Sequence, residues 1–183
     1  PTADPSPVPT LTPGPSPVPT LVPSPAPTLS QTLVKVASSV TLEGINATEF
    51  NADEGMKATF AQAVLDSANG AFDEVINIEA VGGRRRLAGA GGGRVAWVMI
   101  SYTGVARVLG TKDVARVGAN VQGNASVALT DAVGDGSFSI ALQTADKSFI
   151  GVTVDSAATL RAIENADYVY IVTTPEPTAA PSP

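Results

Sequence analysis

Between Thr32 and Ile45 the apolar residues Val34, Val36, Val40 and Leu42 fall on alternate positions. Successive side chains of an extended chain point to opposite faces, so this spacing predicts a strand with one buried face, bulged at Ser38-Ser39 where the pattern is interrupted. The period then changes. Ala52, Met56, Phe60 and Val64 recur every four residues, which lines them along one side of a helix. Asn51 and Glu54 stand at capping-box spacing, and Asn69-Gly70 supplies a stop, giving a helix of about 17 residues. Alternation returns from Phe72 to Val81 and from Arg94 to Val105, where Val95, Trp97 and Met99 oppose Val98, Ile100 and Tyr102. The segment between these two strands, Gly82 to Gly93, is too rich in glycine to order by itself and predicts a long, flexible, basic hairpin loop around Arg84, Arg85 and Arg86.

A second helical region opens at Thr111 or Lys112 and runs through Asp113, Val114, Val117, Val121, Val127, Leu129 and Val133, with Gly118 and Gly123 weakening its continuity. Gly134-Asp135-Gly136 breaks it, and Ser137 is placed to cap a short helix bearing Phe138, Ile140 and Leu142. A last strand runs from Asp167 to Thr173, with Tyr168, Tyr170 and Val172 alternating against Val169 and Ile171, which puts the two tyrosines in one row on its exposed face as candidates for sugar or subunit contact. The order strand, helix, strand, strand, helix, strand is that of a split βαβ, or ferredoxin-like, α+β domain. Its four antiparallel strands would carry two main helices on one face and leave the other to solvent or a neighbour. The domain is expected to span residues 31–174.

The prolines set these bounds. Of 15, eleven lie between Pro1 and Pro27, four between Pro175 and Pro183, and none from Leu29 to Thr174. Within residues 1–30 a unit repeats: Pro5-Ser6-Pro7-Val8-Pro9-Thr10-Leu11, then Pro15 to Leu21, then Pro23 to Leu29 with Ala26 in place of Val. Proline at nearly every second position removes the N–H groups that helices and ladders need, so this arm is expected to be a polyproline II rod. At about 3.1 Å per residue it would reach on the order of 90 Å. The C-terminal linker, residues 175–183, ends on Pro177-Thr178-Ala179-Ala180-Pro181-Ser182-Pro183, which matches Pro1 to Pro7 at six of seven positions. Either the chain is one period of a longer tandem protein, or shared composition produces the match. A first residue of Pro rather than Met predicts a processed or excerpted polypeptide.

The chain has no Cys and no His, which excludes disulfides, thiolate or imidazole zinc sites and Ser-His-Asp triads within it. A net charge of −6 argues against nucleic acid, whose phosphates need a basic surface. No apolar run approaches the roughly 20 residues that span a bilayer. The paired carboxylates Asp53-Glu54 and Asp73-Glu74 are adjacent and diverge in direction, so they read as surface rather than acid–base pairs. Asp131 and Asp135 lack the spacing of a calcium loop. Neither a catalytic constellation nor a cofactor is expected. Asn46-Ala47-Thr48 and Asn124-Ala125-Ser126 are N-glycosylation acceptors without proline in the middle, competent in a secretory pathway. For Arg84, Arg85 and Arg86 three readings are open: a processing site, a contact for acidic polysaccharide or a neighbour's carboxylates, or a solvated hairpin tip.

The Ser-Pro, Thr-Pro, Ala-Pro and Val-Pro alternation resembles the hydroxyproline-rich, arabinogalactan-type glycoproteins of algal and plant walls. That resemblance implies hydroxylation and O-linked sugars at Pro5, Ser6, Pro7, Pro9, Thr10, Pro15, Ser16, Pro17, Pro19, Thr20, Pro23, Ser24, Pro25, Pro27, Thr28, Pro175, Pro177, Thr178, Pro181 and Ser182. The middle resembles the SEA-like repeats of secreted algal and protist glycoproteins, on its element order, the Arg84-Arg85-Arg86-Leu87 run, and Gly136-Ser137-Phe138 with Leu142. The Gly-Ser-valine sequence at which SEA modules cleave themselves does not occur in this hairpin, so self-cleavage is not carried over. Together these imply an extracellular structural glycoprotein that assembles with copies of itself into fibrils or matrix, through an arm that bridges to the next domain or through Thr32 to Val40 or Tyr168 to Thr173 added to a neighbour's sheet edge. The alternative is an adhesion or carbohydrate-binding module on a Pro-rich stalk.

Overall fold

The structure is a computed structural model that describes residues 31–86, 94–109 and 113–173. Both arms with all of their candidate proline and hydroxyl sites, residues 87–93 of the expected hairpin loop, Gly110 to Lys112 with the expected helix start at Thr111 or Lys112, and Thr174 lie outside the described residues. The described chain is α+β, with a five-stranded antiparallel sheet and five α-helices. Its elements are β1 (Gln31–Glu43), α1 (Ala47–Ala52), α2 (Glu54–Ser67), β2 (Glu74–Arg86), β3 (Arg94–Leu109), α3 (Val114–Gly134) and α4 (Ser137–Ala145). A 3-10 turn (Lys147–Phe149), β4 (Thr153–Val154), α5 (Ser156–Glu164) and β5 (Asp167–Thr173) complete it.

The strands lie in the order β2-β3-β1, and β1 then pairs along its far edge with both β5 and β4, so Thr32 to Val40 is a central strand and not the sheet edge expected of it. Because antiparallel partners share a face, the alternation of β1 selects the inner residues of its neighbours. Val34, Val36, Val40 and Leu42 face inward beside Val98, Ile100 and Tyr102 of β3. They join one core with Phe50, Phe60, Val64, Leu129, Val133, Phe138 and Leu142 from the helices. Phe60 sits at its centre, edge-on to Phe50, Tyr102 and Phe138 at 5.9, 5.9 and 6.1 Å between ring centroids.

Several expectations need correction. The register of β1 on β3 is unbroken through Ser38-Ser39, since Val36 and Val40 are in phase and an extra residue would have turned one of them outward. The bulge is in β2 instead, between Ile76 and Glu79, where Asn77 takes φ 55°, a conformation that Asn tolerates better than most residues. The helix expected at about 17 residues is α2, 14 residues long and begun at Glu54, and a separate α1 precedes it: Asn46 caps α1, and the Asp53 carboxylate caps α2 by accepting from the Gly55 and Met56 N–H groups. Asn51 is therefore not a cap.

In α3 neither Gly118 nor Gly123 interrupts the helix, which Asp113 caps through the Arg116 N–H. At Gly118 the absence of a side chain is what lets the Tyr168 ring of β5 lie against the helix, since a Cβ there would sit 2.5 Å from the ring. Ser137 is the first residue of α4 rather than its cap; the Asp135 carboxylate accepts its N–H. That bond holds the Asp135 carboxyl below its usual range. The turn, β4 and α5 between Lys147 and Glu164 have no counterpart in the sequence-based expectation.

Candidate functional site

The two Asn-X-Ser/Thr triplets and the sheet edges are the features with the most bearing on function. Asn46 is exposed, and its Oδ1 accepts the Thr48 N–H at 2.8 Å, which leaves the Nδ2 that would carry a sugar free of that bond. It borders a groove of about 390 Å³ shared with Ile45, Gly83 and Trp97. The half-buried Trp97 indole lies flat on Gly83, where a Cβ would meet ring atoms at 2.4 Å. Asn124 is also exposed, on α3, beside the buried Ala125 of the same motif. The helix thus buries the middle residue of the triplet and presents the acceptor outward.

Arg84, Arg85 and Arg86 are not in a loop. They pair with Ala96, Val95 and Arg94 in continuation of β2, so the strand runs through Gly82-Gly83. Cross-strand hydrogen bonds compensate for the conformational freedom of the glycines, and Gly83 is needed where Trp97 crosses it.

The carboxylates considered for acid–base chemistry are occupied structurally. Asp53 caps α2, Glu54 pairs with Lys57 at 2.8 Å, Asp73 accepts the Arg107 N–H, and Glu74 pairs with the Arg107 guanidinium at 2.8 Å. Among the described residues no group of three or more Asp or Glu could hold a metal ion, and no helix is long and apolar enough to cross a membrane. Tyr102 has its hydroxyl pushed up to about 12, mainly by burial, and it belongs to the core beneath Phe60.

The two edges of the sheet are built differently. Along β2 the Asn51 side chain acts as a short extra strand, donating from Nδ2 to the Ala80 carbonyl and accepting the Ala80 N–H at Oδ1, both at 2.8 Å. The bulge at Asn77 and this plug break the edge up to Ala80, and the unbroken stretch beyond it ends in three arginines. Beside β1, α5 fills the gap between β4 and β5: Thr41 N–H donates to Thr159 Oγ1 at 3.0 Å, and Ser38 Oγ donates to the Ala162 carbonyl at 3.5 Å. β5 has no such cover, and among the described residues it pairs with β1 alone. Asn51→Ala is expected to cost about 1–2 kcal/mol, because the buried Ala80 backbone loses both partners. Urea titration checks this, and a loss no larger than that of a neutral surface change would show that water replaces the amide.

Compared with known family models, curated proteins and solved structures, the chain matches none.

Sequence reasoning missed the Asn51 plug, whose two halves lie 29 residues apart and share no pattern. It read Tyr168 and Tyr170 as one exposed row. They do share a face, but it is the inner one, opposite Val36 and Val34; Tyr168 is half-buried on α3 and Tyr170 is exposed.

Proposed function

We propose that the chain is the protomer of an extracellular, glycosylated fibril or matrix polymer, a ferredoxin-like domain of the SEA-like kind held between Pro-rich arms. The strand order supports the fold assignment, since β2-β3-β1-β5 is the antiparallel order of a split βαβ domain once the two-residue β4 is set aside. The observation that carries the functional reading is the placement of the ends. Gln31, which follows the N-terminal arm, is paired with Thr173, which precedes the C-terminal linker. Both arms therefore leave the folded unit side by side at one pole. A Pro-rich chain so arranged forms an axis from which the domain projects, with Asn46 and Asn124 open to glycans.

Two experiments test the reading. Secreted from a eukaryotic host, the chain is expected to lose mass on treatment with an N-glycosidase, and Asn46→Gln with Asn124→Gln is expected to abolish that change. Cryo-electron microscopy of the secreted material should show regular fibres with folded cores. Dispersed particles at comparable concentration would overturn the reading. The groove lined by Trp97 favours one other reading, a carbohydrate-binding module on a stalk, in which glycan binding would quench the fluorescence of this single tryptophan.

A further inference from the structure

We infer that β5 is the self-association edge of the protein, and that its partner is β5 of a second copy, joined antiparallel about a two-fold axis at Tyr170. The inference rests on the fibre reading above and names the contact that would build it.

An edge strand with unpaired N–H and C=O groups is a template for another strand, and proteins that must stay apart protect such edges with charge, proline, bulges or covers. This domain protects one edge and not the other. β2 carries a bulge and the Asn51 plug. β5 reads Asp167-Tyr168-Val169-Tyr170-Ile171-Val172-Thr173, with no proline, no glycine and a charge only at its first residue. Its apolar side chains are open on both faces: Val169 is 61 % exposed, Val172 50 %, Tyr170 46 % and Ile171 42 %. The strand is nonetheless held in place, because Gln122 of α3 donates to the Ala166 carbonyl just before it and Tyr168 packs on Gly118.

What can pair with it follows from chemistry. The arms are poor partners, because proline at nearly every second position removes many of their N–H groups and holds the backbone near polyproline II. The β2 edge of another copy is a poor match, because Asn51 occupies Ala80, the bulge breaks the register before it, and the stretch beyond ends in Arg84, Arg85 and Arg86. A second β5 fits. The antiparallel register that pairs all seven residues places Tyr170 opposite itself, Val169 opposite Ile171, Tyr168 opposite Val172 and Asp167 opposite Thr173. Aromatic and β-branched residues then meet across the strands, and no like charges face one another. The contact is isologous and closes on itself, as dimer interfaces do. It also turns a domain with both arms at one pole into a pair with arms at two opposite poles.

The test is sedimentation of the full chain, wild type beside Val169→Lys/Ile171→Lys, with electron microscopy of the same samples. The wild type is expected to dimerise, and the double variant to be folded by circular dichroism with a dissociation constant raised on the order of 100-fold. The chain has no cysteine, so Tyr170→Cys gives a second readout: residues opposite one another across antiparallel strands lie within disulfide reach. With mild oxidant it should form covalent dimers, whereas Val127→Cys, exposed on α3, should not. A wild type that stays monomeric, or Tyr170→Cys that crosslinks no faster than Val127→Cys, overturns the proposal. Fibres that persist in the lysine variant overturn β5 pairing as the assembly contact and leave the fibre reading standing. Dimers without fibres do the reverse.

Discussion

Phe60→Ala will destabilise the domain by about 4 kcal/mol in urea or thermal unfolding, the range found for phenylalanines deleted from cores. Phe60 is fully buried, and its ring meets Phe50 of α1, Tyr102 of β3 and Phe138 of α4 edge-on. One side chain thus touches three separate elements around α2. None of those rings can move inward to fill the void without leaving its own contacts, so both the lost transfer energy and the cavity are felt. Phe60→Leu, which keeps most of the volume, is expected to cost about half as much. A loss near 1 kcal/mol for the alanine variant would mean that the core collapses around the site.

Raising the pH above 10 will weaken the fold by on the order of 2–3 kcal/mol as pH approaches 12, and Tyr102→Phe will remove that dependence. Tyr102 is 2 % exposed and its hydroxyl has no hydrogen-bond partner. Ser38 lies near enough to favour the charged form slightly, but its hydroxyl donates to Ala162, and burial dominates. The phenol ionises near 10 in the unfolded chain and near 12 in the folded one. Between those values the folded state holds the proton that the unfolded state has lost, so stability is complete below pH 10 and falls as pH rises. At neutral pH Tyr102→Phe is expected to be neutral or stabilising by up to about 1 kcal/mol, because it deletes an unsatisfied buried hydroxyl. Urea titrations at neutral and alkaline pH, with tyrosinate absorbance, check both parts. Equal alkaline sensitivity in the phenylalanine variant would assign the effect to other groups.

The strands and the two main helical regions were legible because each buries one face over many residues. Val34 to Leu42 and Val98 to Tyr102 keep a period of two, and Met56, Phe60 and Val64 keep the helical one. Where a feature depends on one residue meeting a distant one, the pattern is silent. Asn51 looked like a cap because Glu54 follows at the right spacing, yet Asp53 does the capping and Asn51 reaches Ala80. Gly83 and Gly118 looked like breaks, because sequence shows the missing side chain and not the Trp97 or Tyr168 ring lying on it. The bulge left a trace that was passed over: Val75 and Ala80 are both buried although five residues apart, which a regular strand forbids. α5 buries only Thr159 and Ile163, too few to announce a helix. The glycan acceptors were readable as triplets, while their exposure, and the difference between the two edges, needed the fold.

The pairing of Gln31 with Thr173 has a mechanical meaning. Tension carried through the two arms would pull on adjacent strands from the same end, so the β1–β5 hydrogen bonds, which lie across the strands, are loaded one after another like the teeth of a zip. Pulled from opposite ends, the same bonds would resist together. Peeling begins at Thr173 and runs towards Asp167, and each residue released lengthens the chain by about 3.3 Å while the Phe60 core stays closed. A domain loaded in this way would yield first at its seam and act as a spring between its two ends.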